Sequence, residues 1–496
     1  MPSRYSRRRA LQLAGLGLAT AAAGAAGVAW STSHPTGTGA IAATDGDGGA
    51  PTGGVGSFTE PEVHRSANGA LAVMLTAAPG TGPLAGRTAT TLRYNDALPG
   101  PTLRCRPGDI LRVTLMNRLD EPTNLHVHGL QVTPRDNGDN PFVMVEPGES
   151  FEYVYPIPAD HPAGTFWYHP HHHGLVADQV FGGLYGAIVI DDPVPVPVVA
   201  DRIMVVSDIS LDGSGAVAAA TAMQRRQGRE GDLVLVNGQR RPELTATTGR
   251  ERWRLINACT ARHLRLRLDG QDLTLLGIDL PTPTPAAITE VVLAPGNRAD
   301  LLVDTRPGTG TLTAVPVDRG ATMMSGTGMA GGTTRPTDTA LELATLTVAG
   351  PETPAPKGIP GRPIPRDLRG LPVAHRRRVT LAMDMRMGTG AFTFDGRVFD
   401  PARTDQMVTA GDVEEWTFTN TSPMDHPVHL HVWPMQLIAT RNIAEPGATW
   451  RDVVSVPAYG STVVRIAFDR NTGRSVYHCH ILDHEDLGMM AIVDVA

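Results

Sequence analysis

The stretch Tyr477-His478-Cys479-His480-Ile481-Leu482-Asp483-His484-Glu485-Asp486-Leu487-Gly488-Met489 decides how the rest of the chain is read. Its first four residues read as an extended strand. Successive side chains then point to opposite faces, so His478 and His480 share one face and Cys479 takes the other. His484 and Met489 follow on a loop and can return to the Cys479 side. Thiolate, imidazole and a distant thioether are the donors of a blue-copper electron-transfer site. That set is one imidazole short. The two histidines on the opposite face belong to a second metal group, whose other donors must lie elsewhere.

An internal repeat locates them. Pro107-Gly108-Asp109 leads a strand ending at Asn117, and His126-Val127-His128 comes nine residues later. Ala410-Gly411-Asp412 leads a strand ending at Asn420, and His429-Leu430-His431 comes nine residues later. Thr248-Gly249-Arg250 leads a strand ending at Asn257, and no paired histidine follows. The second halves match too. Glu146-Pro147-Gly148-Glu149 precedes strands closing on Tyr168-His169-Pro170-His171, and Val456-Pro457-Ala458 precedes those closing on Tyr477-His478-Cys479-His480. Ala294-Pro295-Gly296-Asn297 opens a unit with no closing histidines.

The chain therefore holds three homologous β-units, 58–195, 196–350 and 373–496, each with the strand spacing of a Greek-key sandwich. Residues 351–372 are Pro-rich and read as an extended linker. The middle unit reads as a spacer. Pro170 stands where Cys479 stands, so only the third unit can build a thiolate site.

Composition agrees with short strands. Gly numbers 54 and Pro 41, and apolar runs are short and split by turn residues. Residues 1–57 stand outside the fold. Ser6-Arg7-Arg8-Arg9-Ala10-Leu11-Gln12 before an Ala/Gly/Leu run resembles a twin-arginine export signal, with Ala10 where that pattern prefers an aromatic residue. A polar tether from Ser31 to about Ser57 follows. The run is too weakly apolar to favour a membrane anchor. The expected location is periplasmic, cell-envelope or extracellular. Net charge is −7, and −11 without Arg4, Arg7, Arg8 and Arg9, which argues against nucleic acid as a partner. A monomer is expected. Cys105 and Cys259 read as buried thiols or, in an oxidising compartment, a disulfide.

The histidine pattern is far from chance. Seventeen histidines in 496 residues give about 0.6 His-x-His pairs at random, and the chain has five. The set His126-Val-His128-Gly, Trp167-Tyr-His169-Pro-His171, His426-Pro-Val-His429-Leu-His431 and His478-Cys479-His480 with His484 and Met489 resembles that of the multicopper oxidases. The resemblance covers the whole mature chain and is nearest to three-domain bacterial laccase-like and cuprous-oxidase members. It implies an all-β fold of three consecutive cupredoxin-like domains. It also implies four copper ions. A type 1 copper takes His426, Cys479, His484 and axial Met489. A type 2 copper takes His126 and His429. Two type 3 coppers take His128, His169, His480 and His171, His431, His478.

The implied activity is copper-dependent oxidation of a small reductant with O2 as acceptor. Four-electron reduction to water needs a cluster that collects electrons, and Cys479 joins the two sites through the backbone of its neighbours. The protons point to Glu485 and Asp139 as catalytic acids by resemblance, with Asp136 a rival to Asp139. Asp425 could hold the second nitrogen of His426 or be a surface loop charge. Trp167 and Tyr168 read as packing residues, and His172 and His173 as neighbours of the ligands or solvent-facing residues. Phenols and aromatic amines, Cu(I) and Fe(II) are the candidate reductants. Met323, Met324 and Met329 form a thioether-rich loop suited to Cu(I), and Met383, Met385 and Met387 read as a core stripe. Phenols need an open cleft over His484. The alternatives are an exported copper-sequestering protein and a non-catalytic envelope scaffold. Retention of all the ligand positions speaks against the scaffold.

Overall fold

The structure is a computed structural model that describes residues 56–320, 339–354, 356, 358–383 and 391–496. The export motif, the Met323/Met324/Met329 loop and Met385 and Met387 lie outside the described residues. Three pairs of β-sheets follow one another along the chain within one body, Gly53–Ala496. They form three cupredoxin-like domains. No helix among the described residues is long and apolar enough to cross a membrane.

The sequence repeat is a repeat of strand pairing. Strand Ile110–Asn117 runs parallel to Ala70–Leu84 and antiparallel to Ser150–Pro156. Gly249–Asn257 lies between Ala200–Ile209 and Arg298–Thr305 in the same two senses. Val413–Asn420 lies likewise between His375–Met383 and Ser461–Ala467.

The asparagine that ends each of these strands is buried and does one job three times. Asn117 Nδ2 donates to the carbonyls of Glu121 and Val145, and its Oδ1 accepts from Leu119 N. Asn257 serves Arg262, Leu293 and Cys259 in the same way, and Asn420 serves Met424, Val456 and Ser422. An amide has a donor and an acceptor on one short arm, so it can close a strand end where the backbone ladder stops.

Alternate residues of these strands fill three separate cores. Leu111, Val113 and Leu115 face the first, Trp253 and Leu255 the second, and Trp416 and Phe418 the third. Each such side chain contributes about 1.5–3 kcal/mol by leaving water. Cys105 sits in the first core, and Cys259 is buried in the second domain beside the Val206 carbonyl. Both are free thiols. Burial raises both, Cys105 to about 12. Met383 is half-buried against the third core, as a core stripe requires.

The Pro-rich linker is extended but strapped down. Arg362 reaches Asp192 and Asp300, both at 2.8 Å, from the first and second domains. Leu368 is buried beside Trp450 and Leu280. Its N–H donates to Gln436 Oε1 at 2.6 Å.

Candidate metal centre

Two strand pairs carry the histidines inward. His126–His128 pairs with Gly164–His169, which sets His126 opposite His169. His426–Leu430 pairs with Gly473–Cys479, which sets His429 opposite His478 and Val428 opposite Cys479. Period-two alternation then delivers rings to the crevice between the first and third domains and the thiol to the far face. His126, His128, His169, His171, His429, His431, His478 and His480 are all buried there.

Their nitrogens converge. The Nε2 atoms of His171, His431 and His478 lie 3.1–3.3 Å from one another. His126 Nε2 lies 3.3 Å from His429 Nε2. His169 Nε2 and both nitrogens of His480 have no partner.

The opposite nitrogens decide which atoms carry lone pairs. Nδ1 of His169, His429 and His478 faces a backbone carbonyl, of Pro170, Asp452 and Cys479 respectively. A carbonyl only accepts, so each Nδ1 carries the proton and each Nε2 a lone pair. His478 and His429 thus each aim a lone pair into one of these contacts, where a cation would bind. Nitrogens bound at about 2.0–2.1 Å to one first-row metal ion sit at just this spacing. Burial also holds the imidazoles well below their ordinary range, in the neutral form that ligates. His128 is lowered in the same way but accepts at its Nδ1. Trp167 Nε1 donates to its Nδ1 at 2.8 Å, and its Nε2 has no partner.

The second group lies behind the first. His426 Nδ1 is 3.4 Å and His484 Nδ1 3.9 Å from Cys479 Sγ. His426 Nε2 donates to Ser422 Oγ at 2.8 Å, and His484 Nε2 to the Arg226 carbonyl at 3.1 Å. Both rings therefore turn an Nδ1 lone pair to the sulfur. Burial pushes the Cys479 thiol up, so only a nearby cation would make it a thiolate. Met489 is buried beside them, its N–H on the His484 carbonyl and its carbonyl taking the Cys479 N–H. The donor sets fit copper of the two kinds, imidazole-rich and thiolate-containing.

Multicopper oxidase sequence families match residues 77–195, 200–338 and 373–496. The chain belongs to the multicopper oxidases.

Membership implies a copper oxidoreductase. The chain is 28% identical to the multicopper oxidase mco of Staphylococcus haemolyticus, over 82% of this chain and 84% of that one. It is also 28% identical to the cell division protein FtsP of Dickeya dadantii, over 80% and 84% respectively. Among solved structures it resembles a Campylobacter jejuni multicopper oxidase described as a metallo-oxidase. There the TM-score is 0.79 and the identity 28%, covering 90% of this chain and 97% of that one.

Two carboxylates border the histidines of this multicopper oxidase. Asp139 holds His126 Nδ1 at 2.8 and 3.0 Å and takes the Val127 N–H. Asp136 is exposed. Glu485 Oε2 lies 2.9 Å from His478 Nδ1, and Oε1 lies 3.4 Å from His171 Nε2. Neither contact has the angle of a hydrogen bond. Burial raises Asp139 to about 8, against the Val127 N–H, and Glu485 to about 7, against His171. Both lean to the protonated form, and a bound cation would pull them down.

Three expectations change. Asp425 does not hold His426. Its Oδ1 takes the Ala458 N–H, and Ser422 occupies the ring nitrogen. Trp167 is more than packing, because its N–H holds His128. Tyr168 does pack, against Tyr94, with its hydroxyl on the Pro101 carbonyl. His172 and His173 are half-buried, His173 against Phe399.

The middle domain is also more than a spacer. A Cβ on Gly296 would stand 2.7 Å from His480 Nε2. Arg298 reaches across to Asp452, the residue whose carbonyl holds His429. Sequence reading missed both, along with Ser422 and Arg226. Gly296 alone carried a signal, as the turn glycine of the repeat, equivalent to Gly148.

Proposed function

We propose that this protein couples one-electron oxidation of a small reductant to four-electron reduction of O2 to water, using four copper ions. His426, Cys479, His484 and Met489 would hold the type 1 ion, and His126 with His429 the type 2 ion. His128, His169, His480 and His171, His431, His478 would hold the type 3 pair. Copper bound there supplies one-electron redox steps at the sulfur and a place for O2 among the imidazoles.

One observation carries this reading. Cys479 faces His426 and His484, while its two chain neighbours, His478 and His480, face the imidazole crevice. The two groups are thus joined by a few covalent bonds of one strand. Glu485 and Asp139 would hand on protons beside His478, His171 and His126, where reduction of O2 consumes four. Asp139 also fixes His126, since a carboxylate on Nδ1 turns Nε2 inward. Asp486 holds the start of the helix Val176–Gly182, accepting from the N–H groups of Gly174, Val176 and Ala177.

The twin-arginine-like start is read as an export signal, with the twin-arginine machinery as partner and the cell envelope or its exterior as destination. The mature protein is read as a monomer without nucleic-acid partners. Cu(I), Fe(II), phenols and aromatic amines are the reductants to compare. Loading the purified protein with copper and following O2 with each reductant tests the reading. A blue protein that consumes O2 supports it. The likeness to a cell division protein favours a second reading, a scaffold without catalysis. A protein that stays colourless and binds no copper would support the scaffold, and bound copper without O2 uptake would support a copper store.

A further inference from the structure

Gly129 follows His128 at φ +90°, and Val432 follows His431, its counterpart in the repeat, at φ +68°. Glycine takes that conformation freely, but a β-branched residue there is an outlier. Among the described residues, Val432 is the one β-branched side chain in the left-handed region. The two copies also turn differently. After His128 the chain closes a four-residue turn, with Leu130 N–H donating to the Val127 carbonyl at 3.2 Å. No side chain fits there, since a Cβ on Gly129 would stand 2.5 Å from Asp452 Oδ2 and 2.6 Å from Arg298 Nη2. After His431 the turn is tighter, with Trp433 N–H donating to the carbonyl of His431 itself at 2.7 Å. A hydrogen bond across one residue, with a positive φ at its centre, is the rare and strained form of the γ-turn.

The two rings are held in complementary ways. Nδ1 of His128 takes the Trp167 N–H, whereas Nδ1 of His431 has no hydrogen-bond partner. Asp139 Oδ2 stands 3.7 Å from it, too far to bond. The His431 ring stacks on His126, with centroids 3.8 Å apart and planes 21° from parallel. Stacking sets the plane of the ring but lets it slide. The main chain of His431 is fixed instead, by its N–H on the Val476 carbonyl at 3.2 Å and by the γ-turn. Burial holds that turn. Val432 is 5% exposed and Trp433 2%, and both belong to the core of the third domain. Strain of this kind persists only where the surrounding packing over-determines it.

We propose that Val432 is a positioning residue for His431: its buried isopropyl group holds the strained turn, and the turn fixes how far Nε2 reaches toward His171 and His478. This rests on the reading of His431 as a ligand of the type 3 pair. Its Nε2 lies 3.2 Å from that of His171 and 3.3 Å from that of His478. An ion shared by three such nitrogens, at about 2.0–2.1 Å from each, tolerates little displacement of any one. In Val432→Ala the small side chain no longer pins the backbone in the left-handed region. The residue relaxes to an ordinary φ, the Trp433 bond opens and the ring draws back. Isoleucine keeps the β-branch, and its extra methylene can extend into the cleft of about 440 Å³ that Val432 lines with Gln131 and Trp433.

Val432→Ala and Val432→Ile test this, with Val464→Ala as the matched control. Val464 lies in the same core, on the sheet of the third domain that carries none of the ligand histidines. Copper affinity is read by competition with a chelator, in the full-length protein at equal folded fraction. Val432→Ala should bind one copper about 10–100-fold more weakly, the range seen when a ligand loses the contact that orients it. Val432→Ile should keep the wild-type affinity, and Val464→Ala should lose stability alone. In crystals of the copper-free protein the His431 ring should be drawn back from His171 and His478 in Val432→Ala, and in place in the other two. Equal copper affinity in the two alanine variants, or an unmoved ring, would overturn the proposal. So would an affinity in Val432→Ile as low as in Val432→Ala. A wild type that binds copper but consumes no O2 would instead sink the oxidase reading and leave both readouts intact. A wild type that binds no copper would sink the copper reading, and the copper-free crystals would still decide whether Val432 places His431.

Discussion

The guanidinium of Arg298 clasps the carboxylate of Asp452, Nη1 to Oδ1 at 2.6 Å and Nη2 to Oδ2 at 2.5 Å. The pair is buried and crosses from the middle domain to the third. Arg298 also donates to the Thr165 carbonyl of the first domain. All three domains thus meet at one side chain, and Asp452 passes the constraint to His429 through its carbonyl. A buried bidentate pair is costly to break from one side, because the remaining charge has no partner.

Arg298→Gln should therefore destabilise the protein by about 3–5 kcal/mol in urea unfolding. In the fraction that folds, the type 2 copper signal should fall in electron paramagnetic resonance while the blue band of the type 1 site persists. Arg298→Lys restores the charge but not the fork, and should recover only part of the signal. Equal loss of both copper signals would make Arg298 a structural residue only.

Cys479→Ser should abolish the blue band and turnover while copper still binds among the eight histidines. Copper counting and visible absorption report the two separately. Normal turnover in this variant would end the case for an electron path through the strand Gly473–Cys479.

Gly148 and Gly296 are equivalent turn glycines, at φ +83° and +85°. Alanine at either pays backbone strain of about 1–2 kcal/mol. At Gly148 the new methyl meets open space, but at Gly296 it meets the His480 ring. Gly148→Ala should lose only stability. Gly296→Ala should also lose copper from the histidine crevice, measured as copper per chain at equal folded fraction.

Glu485→Gln removes a carboxyl held near neutrality by burial, with Oε2 2.9 Å from His478. Reduction of the blue band by Fe(II) without O2 should be unaffected. Reoxidation by O2 should slow by about 10²–10⁴, the usual worth of a placed acid. Stopped-flow absorption separates the two half-reactions.

Burial pushes the Asp300 carboxyl up, but Arg252 and Arg362 overrule it and hold it far below the ordinary carboxylate range. A depressed folded-state value means that the stabilisation is complete above the unfolded value of about 3.9 and is lost as pH falls below it. Urea midpoints should therefore drop between about pH 5 and pH 3. In Asp300→Asn the stability at neutral pH should be lower and this part of the acid drop absent. An unchanged acid limb would remove the linker clasp at Asp192, Asp300 and Arg362 from the account of acid stability.

Much of the fold was legible because cupredoxin-like domains repeat local signals. The turn glycines, the strand alternation and the closing asparagines Asn117, Asn257 and Asn420 recur at matched spacing, and short-range geometry reads such signals directly. The same is true of Cys479 and its two neighbours, where adjacency in the chain is the chemistry. Asp425 stayed open in the sequence for the converse reason. Adjacency to His426 suggested a contact, but the backbone there turns the carboxylate to the Ala458 N–H, and the ring finds Ser422.

By itself, then, the sequence determined the three β-units, the convergence of two histidine-bearing units, and the thiol on the face turned away from the crevice. Only the tertiary structure decided what lies over His484, what grips Asp452, and how the histidine-free domain enters both groups. Arg226 acts through a carbonyl, which every residue has, and Gly296 acts through the absence of a Cβ. Arg298 acts across 154 positions of chain. Arg226 and Arg298 leave no pattern in neighbouring residues, and Gly296 leaves only that of a turn, because each role is set by how whole sandwiches pack rather than by how one strand alternates.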